Sequence, residues 1–208
     1  MRDRVRVHVK ICGIRDVRSA AAAVEAGADA IGFVLTESVR RVTLEEAAAI
    51  AERLPRPVER VAVLARPDSA EVEAVVARLA PDLIQADHDT LVAQHGVGLL
   101  PVFRESPGVE DEVAVHLGVN GRTRFVYEGP RSGAGKTVDW ARARGLGRRG
   151  RMTLAGGLTP DNVGMAIRAA RPFGVDVSSG VESRPGVKDP GRIRDFVAVV
   201  REVEGGEA

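Results

Sequence analysis

The sequence has little of what marks a secreted, membrane or zinc-binding protein. Its 208 residues include one cysteine, which excludes an internal disulfide and a cysteine-ligated zinc site. The 30 basic and 29 acidic residues leave a formal net charge of +1, which gives no support for nucleic acid or an acidic membrane surface as a partner. No apolar run is long enough to span a bilayer, and the first residues lead into an alternating strand rather than a signal peptide. We therefore expect a cytoplasmic protein with no nucleic-acid and no membrane partner.

Aromatic residues are scarce as well, at 3% of the chain, so valine, leucine, isoleucine and alanine must build the core. The length suits one well-filled core, and we expect a single domain over residues 1–208. Short apolar runs alternate with amphipathic stretches, which is typical of parallel strands covered by helices. Eight such units predict an α/β fold, the (β/α)8 TIM barrel with parallel strands. The expected strands span residues 5–12, 28–35, 58–64, 83–86, 99–103, 124–127, 151–154 and 175–177.

Helix starts are indicated by residues that cap free backbone N–H groups. Asp16 is a good N-cap for the first helix, and Thr43 with Glu46 forms a capping box for the second. Thr159 followed by Pro160 is expected to open the helix after strand seven. The other helices are expected from Asp68 to residue 79, near 90–94, over 109–117, ending near Gly145, and over 190–203.

The turn after the first strand carries the only cysteine. Cys12 is followed by Gly13, which lets the backbone turn, and it lies where barrel enzymes have their sites. A Rossmann-type sheet, the alternative fold, would need the pattern G-x-G-x-x-G here, and residues 12–17 lack it. Cys12 is either a catalytic thiol or a small buried apolar residue, and spacing alone leaves both interpretations open.

Glycine-rich turns follow the last two expected strands. Gly156 and Gly157 come after strand seven, and Ser179 and Gly180 come after strand eight. Backbone N–H groups of small turns at these two places form the usual phosphate site of a barrel. The sequence therefore predicts a phosphorylated ligand, although an ordinary tight turn would also explain the glycines.

Charged residues at other strand ends suit a ligand that also carries a carboxylate. Arg40 and Arg41 follow strand two, and a guanidinium facing the barrel mouth would hold a carboxylate, but spacing does not choose between them. Glu128 follows strand six and is a candidate general acid opposite Cys12 as base. A surface carboxylate is the alternative interpretation of Glu128.

Several segments along the whole chain match one set of motifs. They are Lys-Ile-Cys-Gly-Ile at 10–14, Gly-Phe-Val at 32–34, Ser-Val-Arg at 38–40, a glycine loop ending in Val-Asp-Trp at 133–140, Ala-Gly-Gly-Leu-Thr-Pro-Asp-Asn-Val at 155–163, Val-Asp-Val-Ser-Ser-Gly-Val-Glu at 175–182 and Pro-Gly-Val-Lys-Asp at 185–189. In these segments the chain resembles the phosphoribosylanthranilate isomerase family, (β/α)8 enzymes of tryptophan biosynthesis.

The resemblance implies an Amadori rearrangement of N-(5-phosphoribosyl)anthranilate to 1-(2-carboxyphenylamino)-1-deoxyribulose 5-phosphate. It implies no metal and no organic cofactor, a small-molecule phosphoribosyl substrate, and a monomer or homodimer. Cys12 aligns with the family's general base and Arg40 with the arginine that holds the anthranilate carboxylate. The residues that align with the phosphate site are Gly156, Gly157, Ser179 and Gly180. Further site candidates in the matching motifs are Asp176, Gly133 and Gly135.

Two positions depart from the family's pattern. The general acid of the family is an aspartate at the end of strand six, where this chain has Glu128, one methylene longer. The strand-four motif Gln-Leu-His-Gly reads Gln-Ala-Asp-His at residues 85–88. Asp87 would repel an anthranilate carboxylate, and His88 is offset by one residue, which turns a strand side chain to the other face.

Three functions follow from this pattern. The first is a phosphoribosylanthranilate isomerase with Cys12 as base and Glu128 as acid. The second is a sibling isomerase that acts on a different amino-phosphoribosyl compound, and the third is a non-catalytic phosphosugar binder. A metal-dependent epimerase is disfavoured because the four histidines show no ligand spacing.

Overall fold

The structure is a computed structural model that describes residues 6–91, 96–120, 123–130 and 137–206. Within these residues eight parallel strands pair in chain order and close into a barrel, as the sequence predicts. Strand β1 pairs with both β2 and β8, so the first and last strands complete the ring. The strands are β1 (His8–Cys12), β2 (Ala30–Val34), β3 (Glu59–Val63), β4 (Leu83–Asp87), β5 (Gly98–Arg104), β6 (Arg124–Glu128), β7 (Arg151–Leu154) and β8 (Gly174–Val177).

Helices cover the outside of the barrel. The helices of the described residues are α1 (Val17–Ala26), α2 (Leu44–Ala51), α3 (Ser69–Leu79), α4 (Val109–Asn120), α5 (Trp140–Gly147), α6 (Val163–Ala170) and α7 (Pro190–Gly206). Asp16 and Asp68 accept hydrogen bonds from the backbone of the first turn of α1 and α3, as expected of N-caps. The capping box of Thr43 and Glu46 is also present. The helix expected near residues 90–94 falls largely outside the described residues, and 88–90 form a turn.

The predicted start of the helix after β7 is wrong by a few residues. Helix α6 begins at Val163, whereas Thr159 and Pro160 belong to the turn before it. The Thr159 N–H donates to Asn162 Oδ1, and Asn162 Nδ2 donates to the carbonyl of Gly157. The Asn162 side chain therefore organises the turn after β7 instead of capping the helix.

After β8 the chain forms a short 3₁₀ turn (Ser179–Val181) and an antiparallel hairpin before α7. The hairpin strands are β9 (Glu182–Arg184) and β10 (Val187–Lys188). In the part of the chain that the structure describes, no helix has both the length and the apolar character that crossing a membrane requires.

Side chains alternate between the barrel interior and the helix layer because successive residues of a strand point to opposite faces. The large aromatic side chains Phe33, Phe103, Phe125 and Tyr127 are fully buried in the main core cluster with residues of the helices. A separate buried cluster contains only small and medium residues, namely Ala30, Val61, Leu100, Val102, Val126 and Ala155. The small interior residues leave room for the polar side chains that line the mouth.

Charged side chains close the amino-terminal end of the barrel. Glu59 accepts hydrogen bonds from Arg124 Nη1 at 2.7 and 2.9 Å, and its Oε2 lies 3.2 Å from His8 Nε2. Burial alone would raise the pKa of Glu59, but the hydrogen bonds from His8 and Arg124 lower it to about 2. This cluster lies at the end opposite the candidate site, so we assign it a structural role.

Candidate active site

A cavity of about 460 Å³ opens at the carboxyl ends of the strands. Most of the candidate residues line it together, namely Cys12, Arg40, Asp87, Glu128, Gly156, Gly157, Asp176 and Ser179. Gly180 lines an adjoining cavity that shares Gly157 and Ser179. Arg41 is exposed and does not line the cavity. Of the two adjacent arginines, Arg40 is therefore the one whose guanidinium can face a ligand there.

Cys12 ends β1 with a side chain that is almost fully buried, at 8% exposure. Burial raises the pKa of its thiol, and the nearby Lys10 ammonium counteracts this in part. Gly32 lies opposite, where a Cβ would come within 2.9 Å of Cys12 Sγ and 3.1 Å of Lys10 Cε. Glycine at this position of β2 therefore makes the space that the thiol and the ammonium occupy.

Lys10 and Asp176 form a buried ion pair beneath the thiol, with Nζ 2.7 Å from Oδ2. Burial would lower the pKa of Lys10, but Asp176 and Cys12 outweigh it and hold that pKa above its ordinary value. The other carboxylate oxygen, Asp176 Oδ1, is buried and accepts no hydrogen bond from the described residues. Asp176 also contributes to the lining of the cavity.

Arg40 is fixed by a carboxylate that no site prediction included. Its Nε and Nη2 donate to the two oxygens of Glu182, at 2.8 and 3.0 Å. Lys188 Nζ donates to Glu182 Oε1 at 2.8 Å and to the Ser178 carbonyl at 2.9 Å, and Ser178 Oγ donates to the Cys12 carbonyl. This network ties the β9–β10 hairpin to the ends of β1 and β8.

The ionisation of this network follows from burial and pairing. Burial would raise the pKa of Glu182, but hydrogen bonds from Arg40 and Lys188 lower it. Burial also lowers the pKa of Lys188, and Glu182 counteracts this in part. Glu182 and Lys188 lie in the two carboxyl-terminal motifs at 175–182 and 185–189, so the sequence could have marked them as site candidates. No local pattern, however, indicates that Glu182 pairs with Arg40 and Lys188.

The turns after β7 and β8 need glycine. Gly156 and Gly157 adopt positive φ angles of 91° and 62°, which side chains other than glycine rarely accept. A Cβ on Gly180 would lie 1.9 Å from the carbonyl oxygen of Leu158, so the two turns are in direct contact. The backbone thus forms a compact wall of the kind that binds phosphate in barrels.

Three charged side chains meet at the ends of β4, β5 and β6. Arg104 Nη2 lies 2.7 Å from Asp87 Oδ1, and Arg104 Nη1 lies 3.6 Å from Glu128 Oε2. Glu128 is only 9% exposed, so it is not a surface carboxylate. Asp87 therefore faces the cavity with a cation beside it, a pairing that weakens the repulsion expected of its charge.

His88 does not lie in the cavity, which corrects its place among the candidates. Its ring stacks on Phe103 with ring centroids 4.4 Å apart, and Phe103 belongs to the core cluster outside the barrel interior. The one-residue offset from Asp87 turns the imidazole to the helix side of the sheet. The candidates Gly133 and Gly135 lie outside the described residues.

The fold and the cavity define a (β/α)8-barrel protein with a candidate acid–base site at the carboxyl ends of its strands. The family follows from comparison with known proteins. The family model described as N-(5'phosphoribosyl)anthranilate (PRA) isomerase matches residues 9–199, and the chain belongs to this family of isomerases, which are intramolecular oxidoreductases.

Individual relatives agree with this assignment. An N-(5'-phosphoribosyl)anthranilate isomerase from Pelobacter propionicus is 37% identical over 202 residues, which cover 94% of this chain and 96% of the relative. A dimeric phosphoribosylanthranilate isomerase from Thermotoga maritima, studied as monomers, is similar with a TM-score of 0.80 and 33% identity over 94% of this chain and 99% of that chain. A phosphoribosylanthranilate isomerase in complex with reduced 1-(o-carboxyphenylamino)-1-deoxyribulose 5-phosphate has a TM-score of 0.79 and 32% identity, with 94% and 99% of the two chains covered.

Proposed function

We propose that this protein converts N-(5-phosphoribosyl)anthranilate to 1-(2-carboxyphenylamino)-1-deoxyribulose 5-phosphate, with Cys12 as general base and Glu128 as general acid. The observation that carries the proposal is that one cavity is lined by a buried thiol, a buried carboxyl group and the glycine turns after β7 and β8. Family membership supports the reaction, and the related complex with a reduced product analogue supports a ligand of this size.

Ring opening is the first step of the proposed mechanism. Glu128 donates a proton to the ring oxygen of the ribose, the C1–O bond breaks, and the amino nitrogen becomes part of a protonated Schiff base. Burial of Glu128 excludes water from the proton transfer. Arg104, 3.6 Å away, stabilises the carboxylate that remains.

Proton removal from C2 is the second step. The Cys12 thiolate takes this proton, and the electron pair moves into an enolamine that tautomerises to the ketose. A thiol with a raised pKa is deprotonated less often, but its thiolate is a stronger base. Lys10 beneath Cys12 stabilises the thiolate, so the ion pair with Asp176 serves the base as well as the fold.

The two anionic groups of the substrate fix its orientation. The phosphate binds the turns that contain Gly156, Gly157, Ser179 and Gly180. Arg40 contributes to the anthranilate carboxylate through Nη1, because Nε and Nη2 are held by Glu182.

A turnover assay tests the proposal. Phosphoribosylanthranilate is generated in situ, and loss of its fluorescence is followed with wild type, Cys12→Ser and Glu128→Gln. We expect wild-type kcat in the range of ~1–10³ s⁻¹ and a fall of ~100-fold or more in each variant. Circular dichroism checks that each variant is folded, and Arg78→Met, at an exposed site on α3, is the matched control. Full activity of Glu128→Gln would remove Glu128 as the acid.

A sibling isomerase is the second candidate, because Asp87 lines the cavity where the family pattern has histidine. This candidate predicts that an amino-phosphoribosyl compound without the aryl carboxylate is turned over faster than phosphoribosylanthranilate by orders of magnitude. Phosphosugar binding without turnover of either compound would instead favour a non-catalytic binder.

A further inference from the structure

Arg40 is one end of a charged row of three side chains, Arg40, Glu182 and Lys188, that runs from the cavity wall into the β9–β10 hairpin. Glu182 accepts from Nε and Nη2 of Arg40 at 2.8 and 3.0 Å, and its Oε1 also accepts from Lys188 Nζ at 2.8 Å. Of the three, Arg40 lines the cavity, whereas Glu182 and Lys188 lie behind it with side chains only 4% and 1% exposed. The charged row therefore has one member that a ligand can touch and two that it cannot.

Glu182 holds the guanidinium of Arg40 in one direction. Besides the two bonds from Arg40, its Oε2 accepts from the Gly186 N–H at 3.2 Å, so both carboxylate oxygens are fixed. The stem of Arg40 packs on Gly13, where a Cβ would come within 2.8 Å of Arg40 Cδ. These contacts leave Nη1 as the nitrogen of Arg40 that no described residue engages.

A carboxylate that orients a guanidinium also cancels its charge. Arg40 and Glu182 alone would be a neutral pair, and a neutral pair attracts an anionic ligand only weakly. Lys188 adds a second cation, so the two cations and one anion of the charged row leave one net positive charge beside the cavity. The hydrogen bonds from Arg40 and Lys188 lower the pKa of Glu182, which keeps the middle member ionised.

Lys188 has no means of binding the ligand itself. An ammonium has three N–H donors, and those of Lys188 go to Glu182 Oε1 at 2.8 Å, the Ser178 carbonyl at 2.9 Å and Ser178 Oγ at 3.1 Å. Because every donor is used and the side chain lies behind the cavity wall, Lys188 acts on a ligand through its charge alone.

We infer that Glu182 is the positioning residue of Arg40 and that Lys188 compensates the charge of Glu182, so that Arg40 is held in place and still attracts an anion. The inference rests on the proposed function, which gives Arg40 an aryl carboxylate to bind. Preference for a carboxylated ligand then depends on Lys188, a side chain that never touches that ligand.

The expected effect follows from the distance over which the charge acts. A ligand carboxylate on Arg40 Nη1 would lie roughly 8–10 Å from Lys188 Nζ, where a unit charge at an effective dielectric constant of ~20 changes an affinity by ~10–30-fold. Lys188→Met should weaken a carboxylated ligand by this factor. The double variant that combines it with Glu182→Gln removes one charge of each sign and restores the net positive charge. It should recover most of the affinity, because the glutamine still offers Arg40 an acceptor.

Calorimetric titration with two probes tests the inference. The first probe is reduced 1-(o-carboxyphenylamino)-1-deoxyribulose 5-phosphate, and the second is the same compound made from aniline, which lacks the carboxylate. We expect Lys188→Met to weaken the first probe and to change the second by less than about 3-fold. Lys188→Gln keeps a donor for Glu182 without the charge, and it should show the same loss even if the methionine variant does not fold. Arg60→Met is the matched control and should change neither probe, because it removes a buried cation that bonds the Ala51 carbonyl, away from the cavity.

Two results would overturn the inference. One is an equal loss of both probes in the Lys188 variants, which would mean that Lys188 supports the hairpin and not the recognition of a carboxylate. The other is a double variant that binds the first probe no better than Lys188→Met does, because charge compensation requires a recovery. Wild-type turnover is measured separately: discrimination through Lys188 without turnover refutes the isomerase proposal alone, and turnover without discrimination refutes this inference alone.

Discussion

The buried ion pair beneath the thiol should be the most sensitive point of the barrel interior. We expect Lys10→Met and Asp176→Asn each to lower the free energy of unfolding by ~3–5 kcal/mol, and the double variant to lower it by much less than their sum. The reason is that each single variant leaves one ion desolvated without its partner, whereas the double variant removes both. Such a loss is a large part of the ~5–15 kcal/mol that stabilises an ordinary protein.

The magnitude follows from the contact distance. At the observed 2.7 Å between Lys10 Nζ and Asp176 Oδ2, Coulomb's law with an effective dielectric constant of ~20 gives an attraction of about 6 kcal/mol. Desolvation opposes it by several kcal/mol per ion, so the intact pair contributes little net stability while either ion alone is unfavourable.

Urea unfolding followed by circular dichroism at pH 7 measures these effects. With a slope of ~2 kcal/mol per molar urea, each single variant should lower the midpoint by roughly 2 M. The exposed pair of Arg78 and Glu52, 3.5 Å apart with side chains 47% and 69% exposed, is the matched control, and its double-mutant cycle should give ~0–0.5 kcal/mol. Additive losses in the Lys10 and Asp176 cycle, or single variants within ~1 kcal/mol of wild type, would refute the reasoning.

Three further predictions follow from the structure. Gly180→Ala should raise the KM of a phosphorylated substrate at least ~10-fold, because the added Cβ would lie 1.9 Å from a carbonyl oxygen of the neighbouring turn. Gly205→Ala is the control and should leave KM unchanged, because a Cβ at that position meets open space. Glu59, with its pKa lowered from 4.5 to about 2, should stabilise the fold by ~3 kcal/mol. This stabilisation is fully present above pH 4.5 and is lost as the pH falls to about 2, so urea midpoints of wild type and Glu59→Gln should differ at pH 7 and converge near pH 2. Iodoacetamide should modify Cys12 slowly at pH 7 and faster only above the ordinary thiol range, because burial raises the pKa of the thiol. Lys10→Met should raise the pH at which modification becomes fast, because it removes the nearby ammonium. Rapid modification of the wild type at pH 7 would contradict a raised pKa of Cys12.

Local signals in the sequence predict the elements of this fold well. The alternation of strands and helices gives the barrel, and α1 begins directly after Asp16, the predicted N-cap, while Gly27 ends the helix. The start of α6 was predicted wrongly because Asn162 bonds to the preceding turn, a use of its side chain that competes with helix capping.

A residue of the candidate site was predictable only where its own type and its position after a strand were enough to identify it. Cys12 and the glycine turns can be found from their position after a strand, whereas a choice between adjacent arginines depends on the backbone path after β2. The partner of Arg40 lies 142 residues away at Glu182, and no periodicity or capping rule connects positions so distant. The pairing of Asp87 with Arg104 likewise requires the register of β4 against β5.

The joining of β1 to β8 also sets when the protein can acquire its site during synthesis. Lys10 and Cys12 are synthesised near the start of the chain, but their partners lie near its end. The Lys10 ammonium pairs with Asp176, and the Cys12 backbone carbonyl accepts a hydrogen bond from Ser178. A nascent chain that still lacks β8 therefore carries Lys10 without its counter-ion and an open sheet edge on β1. The Cys12 thiol is accordingly not enclosed as in the finished barrel until the ribosome has delivered the last part of the chain.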